Sequence, residues 1–338
     1  MADFIKLALG LLVAGAPAFA ADWSPRLAAD YLDARQKEWF AWPAAKQAGG
    51  PCLSCHTGMP YLLARPALRR ALGESNPTSY ETGLREALRA RLDHKEPRDP
   101  SSHAAQQLGV EAVFASLFVG PQDADRAFDR MWALQSKEGR SKGGWAWFAL
   151  DRDPWEMPES QFYGATVAAL ATGSLTTEQR DRPGAQDNIA ALTSYLQREQ
   201  AAQPLHNRLM LLWAATKLPD ALPQSARRSI LDQAWRTQQA DGGWTMESLG
   251  PWTAHAEAPR STGSNGYATA LTAFALKKGG IPRGDQRLVR ALEWLKAHQD
   301  PSGFWPAGSM NKVYEPDSMQ IKFMQDAATA FAALALLE

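Results

Sequence analysis

Apolar and polar positions divide the chain into two alternating kinds of helical stretch. One kind is apolar nearly all round and rich in small residues: 159–172, 204–216, 263–278 and 319–337, with 104–119 of the same character. A helix hydrophobic on every side packs inside a protein. Between these lie polar, turn-rich stretches at 122–135, 184–199, 224–239 and 285–298. Alternation of this kind predicts inner helices paired with outer ones. Upstream, 60–74 pairs with 78–94. The last inner helix, 319–337, has no partner after it, and 25–41 is available to fill that place.

Repeats strengthen the alternation. Gln238-x-x-x-Gly242-x-Trp244 and Gln299-x-x-x-Gly303-x-Trp305 are two copies of one motif. A looser copy starts at Gln135-x-x-x-Gly139 and reaches Gly144-Trp145 after an insertion. Each copy follows a polar helix and precedes an apolar one. The apolar helices share a register on an Ala-Thr pair: Ala165-Thr166, Ala268-Thr269 and Ala328-Thr329. Repeated supersecondary units with a common core imply a stacked or closed array. The fold class read from this pattern is all-α, an α/α toroid of about six inner and six outer helices.

A different signal lies before the repeats. Cys52-Leu53-Ser54-Cys55-His56 uses the only two cysteines of the chain. This C-x-x-C-H spacing is that of a covalent c-type haem attachment, with both thiols on the haem vinyl groups and His56 as the proximal iron ligand. A dithiol redox pair, half of a zinc site and a short-loop disulfide are the competing readings. The zinc reading needs two further ligands from His, Asp or Glu. The cofactor expected is one covalent haem c.

Composition narrows the classes. The 338 residues carry no net charge, which argues against a nucleic-acid partner or a polybasic membrane surface. Thirteen Trp and 45% hydrophobic residues supply a large core. At the N-terminus, Lys6, the apolar run 7–16 and Ala18-Phe19-Ala20 read as a cleaved signal peptide over residues 1–20, leaving a mature chain from Ala21. The run is too short to span a bilayer. Export to the periplasm or beyond is the expectation, with residues 21–338 forming one toroid domain and the haem segment at 45–75 built into it.

The repeats and the Ala-Thr register resemble those of the squalene-hopene cyclase and protein-prenyltransferase superfamily. Ala-Asp-Tyr-Leu-Asp (29–33) and Cys-His-Thr-Gly-Met-Pro-Tyr (55–61) are similar to a haem-bearing subgroup of it. The resemblance implies an apolar central cavity suited to isoprenoid chains, and structural roles for the repeat Gln and Trp. It does not carry the family's chemistry. No two consecutive aspartates occur in this chain, so the D-x-D-D acid and the D-D-x-x-D magnesium site are both missing. A prenyltransferase zinc would need a cysteine already committed.

Candidate site residues cluster at the expected N-terminal ends of inner helices: Glu111, Glu159, Gln161, His206, Asn207, Asn265, Tyr267, Gln325 and Asp326. Glu159 and Asp326 precede or open otherwise apolar helices and are the expected catalytic carboxyls. For the sixth iron position His103 is the candidate, with His94, Met131 and Met157 behind it; Met59, three residues past His56, falls on the proximal side. Arg65, Arg69 and Arg70 are candidates for pairing with haem propionates. The function expected is an exported haem-dependent oxidoreductase acting on an apolar, isoprenoid-like small molecule with a redox partner protein. The alternative is a non-catalytic electron-transfer or ligand-sensing cytochrome, with a terpene cyclase behind both.

Overall fold

A computed structural model describes residues 23–338 apart from 100, 254, 260 and 261, so the expected signal peptide lies outside the described residues. Six helices form an inner layer: α2 (Gly58–Ala71), α4 (His103–Phe118), α6 (Ser160–Thr172), α9 (Leu205–Ala214), α11 (Gly266–Lys278) and α13 (Phe323–Leu337). Six form an outer layer: α1 (Pro25–Ala41), α3 (Ser79–Arg91), α5 (Ala124–Ala133), α8 (Ala185–Glu199), α10 (Gln224–Arg236) and α12 (Gln286–Ala297). Among the described residues, a short helix, α7 (Thr177–Arg180), one hairpin, β1 (Lys46–Gln47) with β2 (Gly50–Pro51), and six 3-10 turns join them. The expected α/α toroid is the architecture found.

The inner helices pack in chain order, α4 on α6, α6 on α9, α9 on α11, α11 on α13, and α13 back on α2. Helix α3 touches both α2 and α4 and bridges the remaining step. Helix α1 takes the outer place beside α13 and α2. Its buried stripe of Ala28, Ala29, Leu32, Arg35, Gln36 and Trp39 follows helical spacing and faces those two helices.

The repeat residues make the same bonds at three places. The indole nitrogens of Trp145, Trp244 and Trp305 donate to the carbonyls of Met131, Ala234 and Leu295, at 2.7, 2.8 and 2.7 Å. Each ties a loop to the end of its own outer helix. Gln135, Gln238 and Gln299 donate to Asn188, Arg287 and Ser24, at or just before the start of the next outer helix. For Gln299 that next helix is α1, so the last repeat is bonded to the first element. Ser24 donates back to Gln299 Oε1 at 2.6 Å.

The repeat glycines explain why the motif needs them. Gly143, Gly242 and Gly303 have φ of 94°, 95° and 97°, where a side chain is strained. A Cβ at these positions would collide with the carbonyl oxygens of Ala191, Arg290 and Leu27, on the next outer helix in each case. In the first copy the equivalent glycine is therefore Gly143. Gly139, four residues after Gln135, has nothing near it. The Ala-Thr register also has a cause: Thr269 and Thr329 accept the backbone N–H of Trp244 and Trp305, whereas Thr166 bonds to Tyr163 of its own helix.

Large aromatics fill the space between inner helices. Trp213 meets Phe274 at 4.9 Å between ring centres, Phe274 meets Phe331 at 5.9 Å, and Tyr267 meets Phe331 at 5.9 Å. These contacts join α9, α11 and α13.

Candidate functional site

Cys52 to His56 form a loop that helix α1 pins. The indole of Trp39 on α1 donates to the Cys52 carbonyl at 2.7 Å, and Gln36, also on α1, donates to the Thr57 carbonyl at 3.1 Å. The Cys52 N–H closes the hairpin on Ala45 at 2.7 Å. Ser54, between the two cysteines, accepts from the N–H groups of Thr57 and Gly58 and so starts α2 directly after the motif.

The His56 ring is fixed on several sides. It stacks on Phe323 at 3.7 Å and meets the edge of Trp39 at 5.5 Å. Nδ1 lies 2.9 Å from Thr57 Oγ1, and that hydroxyl donates to Asp326 Oδ2 at 2.7 Å. With the hydroxyl proton committed to Asp326, Thr57 can only accept from His56. The proton is thereby placed on Nδ1 and the lone pair on Nε2, which makes no hydrogen bond to the described residues. Burial, reinforced by the charges of Arg35 and Arg152, pushes the imidazole down to about 3, so the ring is neutral.

A cavity of about 680 Å³ opens beside this ring. Its walls are the loops that lead into inner helices: His56 before α2, Leu150–Glu156 before α6, His255–Glu257 before α11, and Ser309–Tyr314 with Phe323 and Met324 before and in α13. Trp42 closes it from the end of α1. The lining mixes carboxylates, cations and aromatics; it is not the apolar pocket expected. Neither cysteine lines it. Both stand close to Glu156, which does, since the charge of Glu156 adds to burial in pushing both thiols up. The two thiols are unpaired.

Within the cavity Asp153 knots three loops together. Its backbone N–H donates to Asn311 Oδ1 at 2.9 Å, its carbonyl accepts from Asn311 Nδ2 at 3.1 Å, and its carboxylate accepts from the Thr253 N–H at 3.0 Å. Burial raises both Asp153 and Glu156 above the usual carboxyl range, against the pull of His255 on the first and Arg152 on the second.

The expected site residues fare differently. Asp326 is buried, but Arg35 grips it at 2.7 and 3.1 Å, and Tyr31 and Thr57 donate to it as well. Burial holds its carboxyl above the usual range against the pull of Arg35, Thr57 and Tyr31, and through Thr57 it anchors His56. Glu159 is exposed just before α6 and its side chain caps nothing, so the buried acid expected there is absent. His103 is exposed at the start of α4, stacked on Phe148 at 5.0 Å and away from the cavity lining, which removes it as the distal candidate. His94 pairs with Glu111, and Met131 accepts from Ser116; neither lines the cavity, and Met157 does not either.

Arg65 pairs with Asp33 and Glu74, Arg69 with Glu81, and Arg70 with Glu338, so the arginines expected for propionates are spent on structure. His206 bonds Asn207 and Tyr267, and Asn265 caps α11. Trp42, Trp155, Glu156, His255 and Phe323 were not read from the sequence. Their signal is positional: each sits at the end of an outer helix, on the loop that enters an inner one or, for Phe323, at the first position of an inner helix.

Two solved structures resemble this fold. The α-1,6-mannanase GH76A from Salegentibacter sp. HEL1_6 covers 93% of this chain and 100% of its own, at 12% identity and a TM-score of 0.51. An inactive variant of the same enzyme, with two consecutive aspartates changed to asparagine and α-1,6-mannotriose bound, matches at 11% identity and a TM-score of 0.50 over the same shares. No protein-family model and no curated protein sequence matches. At these identities the likeness is one of fold.

These findings correct the sequence reading. The structural neighbours are mannanase toroids, not haem-bearing members of the cyclase and prenyltransferase superfamily. The expected haem-dependent oxidoreductase, electron-transfer or sensing cytochrome and terpene cyclase have no counterpart among these neighbours, which are glycoside hydrolases. Among the described residues no group of three or more His, Cys, Asp or Glu is placed to hold a bare metal ion, so the zinc reading of the cysteines gains no partners.

Proposed function

We propose that the loop cavity is the working site of this protein and that its resident group is one haem, attached through Cys52 and Cys55 with His56 on the iron. The observation that carries this reading is the state of His56. A neutral imidazole with Nδ1 tied to Thr57 and Asp326 and a free Nε2 beside a cavity is how a metal-bound histidine is held by its outer partners. Two unpaired thiols close by are the second support.

Cys52 and Cys55 would hold the group covalently, and Phe323 and Trp39 would keep the imidazole from turning. Haem bound there would supply an iron able to take axial ligands. Arg152 and Lys312 at the cavity wall would face its carboxylates in place of Arg65, Arg69 and Arg70. Export by a signal peptide at residues 1–20 belongs to the same proposal.

The test is the intact mass of the mature protein produced alongside a haem-attachment system. The expected result is one added haem, lost in the Cys52→Ser, Cys55→Ser double variant, on a chain that begins at Ala21. A wild-type chain of unmodified mass ends the proposal.

A second reading has its own support. Trp42, Trp155 and Tyr314 share the cavity with Asp153 and Glu156, a combination suited to stacking and hydrogen-bonding a sugar. Asp151 and Asp153 are separated by Arg152, however, and the chain lacks the consecutive aspartates whose replacement accompanies the inactive mannanase. Calorimetry with α-1,6-mannotriose separates the two: saturable binding by the unmodified chain favours the sugar.

A further inference from the structure

His94, His103, Met131 and Met157, the distal-ligand candidates of the sequence, do not line the cavity. The walls offer a different set of donors: His255, Met310, Met324, Lys312 and Tyr314. His255 is, with His56, one of two histidines in the lining. We propose that His255 is the second axial ligand of a haem held at His56, an inference that rests on the haem reading of the cavity.

The state of its ring separates His255 from the other donors. Its Nε2 is shielded from solvent and has no hydrogen-bond partner. The nearest acceptor, Asp153 Oδ2, stands at 3.7 Å, beyond hydrogen-bond length and already accepting from Thr253. A buried ring nitrogen left unsatisfied is a lone pair or proton that a ligand in the cavity can engage. Met324 is instead packed in the hydrophobic core on α13, and Lys312 has its ammonium over the ring of Tyr314 at 5.1 Å. The loop that carries His255 is tied to the facing walls through Asp153, which joins it to Asn311 and to the Asp151–Glu156 loop, and through the Val313 N–H, which donates to the Glu257 carbonyl at 3.1 Å. Asp153 is thus a positioning residue for the loop that carries His255.

Absorption and electron paramagnetic resonance spectra of the intact holoprotein test this, with carbon monoxide as the probe of the ferrous state. The wild type is expected to be low-spin and to resist carbon monoxide. His255→Ala should become high-spin and bind it, with imidazole restoring the low-spin spectrum, while Met310→Leu and Met324→Leu keep the wild-type spectrum. A His255→Ala protein that carries haem and stays low-spin, or a wild type already high-spin, overturns the assignment of His255 alone. A wild type with no haem overturns the underlying reading as well.

Discussion

Lys277 shows at the level of one residue how the toroid treats a charge. It sits in the last turn of α11 facing the C-terminal end of α13, where its ammonium donates to the Ala335 carbonyl. Burial, then the nearby charges of Arg283 and Lys278, lower its pKa to about 8, with only Glu338 opposing. A free lysine titrates near about 10.4. Between those values the unfolded chain holds a proton that the folded chain has released, so this group makes stability rise with pH from about 8 to about 10.4. Below pH 8 the cost of charging the amine is present in full. Lys277→Met should therefore be favourable relative to wild type at pH 7, and that advantage should shrink to nothing by about pH 10.5. Urea midpoints of both proteins across that range would show the convergence; parallel curves would mean that Lys277 keeps an ordinary pKa.

Helices were legible because each one has a local cause. The outer α1 appears at 25–41 in both readings, since Ser24 caps it, Pro25 opens it and its buried stripe keeps helical spacing. The repeat Gln and Trp were legible as fasteners. Loops were another matter, because the cavity walls come from segments hundreds of residues apart, and nothing in Trp42, Glu156 or His255 marks them as neighbours before the ring closes. The same limit misplaced the first repeat glycine: spacing pointed to Gly139, and only contact with Ala191 identifies Gly143. Contact also yields a stability test. Gly303→Ala combines a positive φ with a collision against Leu27 and should cost about 2 to 4 kcal/mol. Gly308→Ala, with nothing near its Cβ, should stay within about 0.5 kcal/mol. Equal effects in chemical denaturation would mean that the close approach at Gly303 relaxes freely.

At the scale of the whole molecule, a ring differs from an open array in having no end repeat. The loops entering four of the inner helices, α2, α6, α11 and α13, gather into the cavity; a shared fold can in this way host a mannanase in one protein and a different site in another. Closure depends on the seam where the last repeat meets α1: Gln299 exchanges bonds with Ser24, and Trp23 lies against Trp305 at 6.0 Å. In an open array the terminal unit frays and its contacts matter little to the rest. In a closed ring the seam is as important as any interior junction. Gln299→Ala and Gln238→Ala remove equivalent side chains at the seam and inside the ring, each exposing bonds worth about 1 to 3 kcal/mol. Both should lower Tm by a similar few degrees within one cooperative transition. If Gln299→Ala leaves Tm unchanged while Gln238→Ala lowers it, α1 is a loosely attached arm and the ring is open at that point.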